Sequence, residues 1–154
     1  MSELLLEVQH LKKTFRTAGK AWNAVDDVSF TLKKGNVLGI AGESGSGKST
    51  IAKMITRLTE TTEGTIYFAG KDITKIRGKE LREYYRNIQM VFQMPKDSFD
   101  PRQTLGDGIG EGLRSLGISR REAEKKAEQL LEKCGLDASF AKKYPHETSG
   151  GECQ

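Results

Sequence analysis

The sequence has few of the residues that support disulfide-rich or membrane-spanning structure. Its 154 residues include two cysteines, three prolines and one tryptophan. The two cysteines, Cys134 and Cys153, are too few for a disulfide framework or a four-ligand metal site. No apolar run approaches the roughly 20 residues of a membrane-spanning helix, and residues 1–3 lack the basic stretch that opens a secretory signal. We therefore expect a cytoplasmic chain that folds as one ordinary domain.

A strong excess of charge of either sign is also absent. The chain has 25 Lys and Arg against 21 Asp and Glu, a formal net charge of +4. The basic residues are mixed with acidic ones, for example in the run 120–126, as on a solvated helix face. We therefore expect no nucleic-acid partner.

Hydrophobic periodicity predicts that strands dominate the first part of the chain. Apolar alternation predicts strands near 4–8 and 25–32, and a further strand is predicted at 65–68. Apolar runs at 37–41 and 88–92 predict short strands buried on both faces, as in a parallel sheet. Two helices are predicted among these strands. The first has an apolar face of Ile51, Met54, Ile55 and Leu58, and the second is a charged segment at 79–86.

Helix-capping residues predict that the later part of the chain is helical. Thr104 is suited to start one helix, and Ser119 with Glu122 forms a capping box for the next. Gly135 is a natural stop for that second helix. The sequence thus predicts an α/β fold with a β-rich core at 1–92, a helical region at about 95–148 and a further helix that starts within 149–154.

A glycine-rich loop is the strongest single feature of the sequence. It fits the pattern G-x-x-x-x-G-K-[ST] and lies between a predicted strand and a predicted helix. Backbone N–H groups of such a loop, together with a helix N-terminus, form an anion site. Lys48 provides a charge for the β- and γ-phosphates, and Ser49 provides a hydroxyl ligand for Mg²⁺. The pattern predicts phosphate binding, but a kinase, a GTPase, a helicase or a transport ATPase would all contain it. Its residues are Gly42, Glu43, Ser44, Gly45, Ser46, Gly47, Lys48, Ser49 and Thr50.

Two further motifs follow in order along the chain. Gln93 leaves the apolar run at 88–92, and the segment Ser149-Gly150-Gly151-Glu152 opens a helix. With the loop at 42–50, this order resembles the N-terminal part of an ATP-binding cassette (ABC) nucleotide-binding domain over essentially the whole chain. The three motifs correspond to that family's Walker A motif, Q-loop and signature motif. The resemblance implies a P-loop NTPase core with an N-terminal antiparallel β subdomain and a C-terminal helical subdomain.

The resemblance also implies what each motif does. ATP and Mg²⁺ are the expected ligands. Lys48 and Gln93 are the expected catalytic residues, and Ser49 and Gln93 are the expected Mg²⁺ ligands. The amide of Gln93 is suited to reach Mg²⁺ or the attacking water. The signature residues Ser149, Gly150, Gly151 and Glu152 face the nucleotide of a second cassette. An adenine platform is expected near the first strand, where Phe15 has the family's position and Trp22 is the alternative.

Three details resemble the importer branch that handles dipeptides, oligopeptides and nickel. They are the segment 24–30, the opening of the loop at 42–45, and Asp100-Pro101-Arg102. This branch implies integral membrane permease subunits as partners, a homo- or heterodimer of cassettes, and a peripheral location on the inner face of the cell membrane. Two alternatives stay open: a soluble ABC ATPase that serves no transporter, and a truncated chain that binds nucleotide without hydrolysing it.

The chain also departs from the family pattern. Thr148 precedes the signature where Leu is usual, Glu152 ends it where Gln is usual, and Met94 follows Gln93 in place of an acidic residue. The Walker B carboxylates and the switch histidine, which the family has downstream of the signature, are not in this sequence. We therefore expect hydrolysis from the complete protein and none from the 154 residues alone. We also expect apolar surface at 37–41 and 88–92 to lie uncovered.

Overall fold

The computed structural model describes residues 3–153, except for the side chain of residue 97, in two compact units that divide after Met90. Residues 1, 2 and 154, the outermost positions of the predicted core and signature segments, lie outside the described residues. The first unit is built on an antiparallel sheet with the strand order β2-β1-β3-β4. Its strands are β1 (Leu4–Thr17), β2 (Lys20–Lys33), β3 (Glu63–Phe68) and β4 (Lys71–Asp72).

The hairpin β1–β2 is joined by a tight two-residue turn, Ala18–Gly19, in which both residues have positive φ. Such a turn matches the right-handed twist of the strands that it joins. Two helices, α1 (Lys48–Ile55) and α2 (Gly78–Tyr85), complete the unit. The core is formed by apolar side chains of the strands, the two helices and the loop before α2; its most enclosed members are Val8, Leu11, Met54, Ile66 and Ile73.

The first predicted helix ends earlier than its apolar pattern indicates. It ends at Ile55, and Leu58 lies beyond it with an exposed side chain. Thr56 donates a hydrogen bond from Oγ1 to the carbonyl oxygen of Ala52 (2.9 Å), and Arg57 then takes a left-handed conformation with φ +60°. A left-handed residue at this position stops a helix, so Leu58 does not extend the buried face.

The apolar runs at 37–41 and 88–92 were predicted to be parallel strands, and this prediction is wrong for the described residues. Neither run belongs to the sheet, whose pairs are all antiparallel. A strand needs a hydrogen-bonded neighbour, and neither run has one among residues 3–153. Val37 is 98% exposed and Val91 is 78% exposed. The expectation that these runs lie uncovered is therefore confirmed for these two valines.

The second unit is helical. It contains α3 (Leu105–Ser115), α4 (Arg120–Lys133) and the short α5 (Gly150–Cys153), with single 3₁₀ turns at Pro95–Ser98, Ala138–Lys142 and Pro145–Glu147. The predicted N-caps are confirmed, since Thr104 Oγ1 accepts a hydrogen bond from Asp107 N–H and Ser119 Oγ accepts one from Glu122 N–H. The predicted box at Ser119 is only half formed among residues 3–153, because the Glu122 carboxylate pairs with Lys126 (3.1 Å) instead of Ser119 N–H. Leu105, Ala123, Ala127 and Leu131 are the buried apolar residues of α3 and α4. Within residues 3–153, the helices are all too short or too polar to cross a bilayer.

Tyr84 on α2 predicts a loss of stability at alkaline pH. Burial raises the pKa of its phenol to about 12, and the nearby positive charge of Arg57 opposes that shift only in part. An unfolded tyrosine has a pKa near 10, so the folded state holds this proton more tightly. The stability that the protonated Tyr84 phenol contributes is fully present below about pH 10 and is lost as pH rises through about 12.

Urea unfolding at several pH values above 9 would measure this dependence. Tyr84→Phe should flatten the alkaline decline relative to wild type. It should also lower stability at neutral pH by about 0.5–1.5 kcal/mol, because the phenol donates a 2.7 Å hydrogen bond to the carbonyl oxygen of Ile55. An identical alkaline slope in both proteins would contradict the assignment.

Candidate nucleotide-phosphate site

The loop before α1 is shaped by two glycines with positive φ. Ser46 N–H donates to the carbonyl oxygen of Glu43, closing a turn whose third residue, Gly45, has φ +82° as in a type II turn. Gly47 is the N-cap of α1 with φ +92°, and a Cβ on it would overlap the carbonyl oxygen of Ala24 on β2. The loop lies so close to the sheet that only glycine fits at this position.

Lys48 places its positive charge inside the loop. Its Nζ donates hydrogen bonds to the carbonyl oxygens of Gly42 (2.8 Å) and Glu43 (2.5 Å) and to Ser46 Oγ (3.3 Å). The first N–H groups of α1 have no partner within the helix, and its first turn has no acidic residue to compete with an anion. The ammonium and the helix N-terminus therefore both contribute positive potential inside the loop, at the start of α1.

A cavity of about 240 Å³ lies beside this loop. It is lined by Trp22, Ala24 and residues 45–50. The second half of the predicted loop, including Ser49 and Thr50, therefore lines one cavity. Gly42, Glu43 and Ser44 form the other limb of the same loop, and two of them are joined to Lys48 through their carbonyl oxygens.

The two candidate adenine aromatics lie side by side. Phe15 and Trp22 are paired across the β1–β2 hairpin, with ring centroids 5.1 Å apart and planes inclined by 35°. Trp22 is 54% exposed and borders the cavity, whereas Phe15 is partly buried, with Lys13 Nζ 5.1 Å from its ring centroid. The sequence favours Phe15 by family position, and the two-residue turn at Ala18–Gly19 sets the register that pairs the two rings.

Gln93 and the signature segment belong to the second unit. Gln93 is exposed in a stretch without regular secondary structure. Ser149 and Glu152 form a complete capping box: Ser149 N–H donates to the carboxylate of Glu152 (2.6 Å), and Glu152 N–H donates to Ser149 Oγ (3.3 Å). The carboxylate of Glu152 is therefore engaged in the cap, as its position three residues after Ser149 predicts.

The residues around the signature segment fit its unusual composition. Thr148 is buried, and its hydroxyl donates to the carbonyl oxygen of Pro145 (2.9 Å), so the polar side chain is satisfied where the family usually has Leu. Gly150 and Gly151 each have open space where a Cβ would stand. The neighbouring cavity of about 510 Å³ is lined mainly by apolar residues such as Phe99, Leu105 and Leu131.

The capping box predicts a low pKa for Glu152. The hydrogen bond from Ser149 N–H, and the contact with its hydroxyl, stabilise the charged form and lower the pKa of this carboxyl below its usual value. The stabilisation is present above the ordinary glutamate pKa and is lost as pH falls through the lowered value. An NMR titration of the Ser149 amide should report this transition. Glu152→Gln should remove the transition, and its persistence in that variant would contradict the assignment.

The sheet, the glycine loop that starts α1 and the helical second unit are the parts of an ATP-binding cassette. A family model described as "ABC transporter" matches residues 25–154, so the chain belongs to that family. It is 45% identical to the oligopeptide transport ATP-binding protein OppF of Bacillus subtilis, over all of this chain and 52% of that protein. It is 47% identical to AppF of the same organism, over 99% of this chain and 49% of that protein.

The solved structures agree with the fold. The ATP-binding cassette MJ0796, described as a dimer bound to ADP and Pi, superposes with a TM-score of 0.79 at 27% identity. The match covers 97% of this chain and 65% of that one. The prediction of an ABC-type P-loop fold is thereby confirmed. The chain spans about half the length of the curated relatives that it matches.

Proposed function

We propose that the full-length protein is the ATP-binding subunit of a membrane importer and powers uptake of a small solute by binding and hydrolysing ATP. The observation that carries this proposal is the match to the ABC transporter family over residues 25–154. The position of Lys48, whose ammonium lies within the glycine loop beside the cavity, supports the ATP site. The β-rich core, assigned to 1–92, supplies the phosphate site. The helical region at about 95–148 and the signature segment at 149–154 supply contacts to partners.

The loop residues 42–50 are proposed to hold the phosphates of ATP. Backbone N–H groups bind the phosphate oxygens, and Lys48 neutralises charge that develops on the γ-phosphate. Ser49 lines the cavity, and its hydroxyl is the kind of oxygen that Mg²⁺ accepts when phosphates and waters fill its other positions. The Ser49 hydroxyl therefore fits as one Mg²⁺ ligand. Gln93 is proposed as a second oxygen ligand from its place in the motif order alone. Bound Mg²⁺ would neutralise phosphate charge during transfer.

The Phe15–Trp22 pair is proposed as the adenine platform. Phe15 supports the indole from within the hairpin, and Trp22 presents an exposed ring beside the cavity. Base–aromatic stacking contributes about 1–3 kcal/mol. ATP titrations of full-length Phe15→Ala and Trp22→Ala would rank the two rings, and unchanged affinity in both variants would remove this assignment.

The partners are proposed from the relatives and the signature segment. OppF and AppF are described as oligopeptide transport ATP-binding proteins, and we infer that a peptide is the imported solute here. Membrane permease subunits and a second cassette would complete the assembly on the inner face of the cell membrane. The signature residues 149–152 would then face the nucleotide of the second cassette.

Uptake of a labelled tripeptide by cells that lack the native gene tests this proposal. Full-length wild type should restore uptake and should co-purify with integral membrane subunits, whereas Lys48→Ala should restore none. Lys53→Ala, an exposed change on the same helix α1, is the matched control and should restore uptake. Restored uptake of nickel alone would reassign the solute. Recovery of wild type only from the soluble extract, without membrane subunits, would favour an ABC ATPase that serves no transporter.

A further inference from the structure

A second cavity in the first unit is lined by cationic side chains. It measures about 200 Å³ and is bordered by Arg57, Glu60, Thr61, Thr74, Lys75 and Arg77. That volume is far more than the roughly 10–15 Å³ that one water needs. It shares no lining residue with the cavity beside the glycine loop. The two cavities adjoin opposite ends of α1, since Lys48 is the first residue of the helix and Arg57 follows its C-terminus.

Arg57 borders this cavity, and part of its guanidinium is buried. Its Nε and Nη1 are buried, and among residues 3–153 no atom accepts a hydrogen bond from either. The backbone is left-handed at this residue, with φ +60°, a conformation that is uncommon for arginine. A buried donor or charge without a partner is costly. Because Nε and Nη1 are inaccessible to water, an anion in the cavity would compensate the guanidinium charge without a direct hydrogen bond to either atom.

The charges around the cavity favour a dianion. Arg57, Lys75 and Arg77 contribute three positive charges, against one carboxylate from Glu60. Glu60 is paired with Arg77 at 2.7 Å, which leaves two cations without a carboxylate among the lining residues. Asp72 lies near Lys75, but its carboxylate accepts the N–H of Thr74 and does not line the cavity.

The two cations without a carboxylate favour a doubly charged anion such as phosphate over a singly charged carboxylate. Arg57 contributes a permanent positive charge, and the exposed Lys75 adds a mobile point charge. Thr61 and Thr74 also line the cavity, and Thr74 Oγ1 accepts a hydrogen bond from Ile66 N–H (2.9 Å). We propose that this cavity binds a phosphate dianion, free or as the terminal group of a phosphomonoester, at a site separate from the glycine loop.

Equilibrium dialysis of radiolabelled inorganic phosphate against the full-length protein tests this proposal. Lys48→Ala serves as the background, because that change weakens phosphate binding at the glycine loop. Ionic strength is held constant with chloride. We expect one phosphate per chain to remain bound in Lys48→Ala. Adding Lys75→Gln should weaken binding about three- to tenfold, and adding Arg57→Asn should weaken it at least about tenfold. Asparagine tolerates the left-handed backbone of residue 57, and Lys75 is exposed, so its replacement does not disturb the core.

Lys79→Gln is the matched control, since Lys79 is exposed on α2 and does not line the cavity. It should bind phosphate like the background protein. Displacement of labelled phosphate by glycerol 3-phosphate would show that the site accepts a terminal phosphate group. If inorganic phosphate binds but glycerol 3-phosphate does not displace it, the site is specific for the free anion. Loss of all phosphate binding in Lys48→Ala, or equal affinity with and without Lys75→Gln and Arg57→Asn, would overturn the proposal.

Discussion

Replacement of Lys48 by alanine is expected to lower ATP hydrolysis by the full-length protein at least about a hundredfold. The ammonium already lies inside the loop, where the carbonyl oxygens of Gly42 and Glu43 hold it at the place proposed for the phosphates. Removing one preoriented electrostatic group from a phosphate or oxyanion site typically costs about 10²–10³ in rate. The turnover of purified protein with Mg·ATP measures the effect.

Two control variants separate this effect from a change in folding. Lys53→Ala removes an exposed lysine of the same helix and should keep the wild-type rate. Lys48→Arg keeps the charge but changes its shape, and it should recover only part of the activity. A Lys48→Ala protein with wild-type turnover would refute the role assigned to the loop.

Gly47→Ala is expected to destabilise the first unit by about 2–5 kcal/mol. A left-handed conformation costs an alanine about 1–2 kcal/mol, and its Cβ would also overlap the carbonyl oxygen of Ala24 on β2. Forcing an extra carbon into a filled space adds about 1–3 kcal/mol. The free energy of unfolding in urea measures the loss.

Gly45→Ala isolates the contribution of the backbone conformation. Gly45 has a similar φ of +82°, but a Cβ there would meet no atom within 4 Å. Its replacement should therefore cost only about 1–2 kcal/mol. Equal losses at Gly45 and Gly47 would show that the loop does not lie against Ala24 as described.

Local signals in the sequence predict local structure well. The caps at Thr104, Ser119 and Ser149 each depend on residues three positions apart, and the structure forms all three. Of the two predicted capping boxes, the one at Ser149 is complete and the one at Ser119 is half formed. Local signals predict strands less well, because a strand depends on a hydrogen-bonded neighbour that is distant in sequence. The runs at 37–41 and 88–92 have the composition of buried strands but lack paired neighbours among residues 3–153.

The candidate site shows the same division. The glycine loop is contiguous, so its residues could be named from the sequence alone. Trp22 reaches the cavity because the hairpin register sets it beside Phe15, and Arg57 faces its cavity because α1 stops two residues before it. Neither placement follows from a motif. Only the folded sheet and the helix end determine them.

Amide hydrogen exchange of the full-length protein, with and without Mg·ATP, is the most direct test of the phosphate site. Binding of the phosphates by backbone N–H groups should slow exchange most strongly across residues 42–50. The same experiment on Lys48→Ala should show little protection there, while the rest of the first unit exchanges as in wild type. Slowed exchange elsewhere, with no change across residues 42–50, would contradict the account.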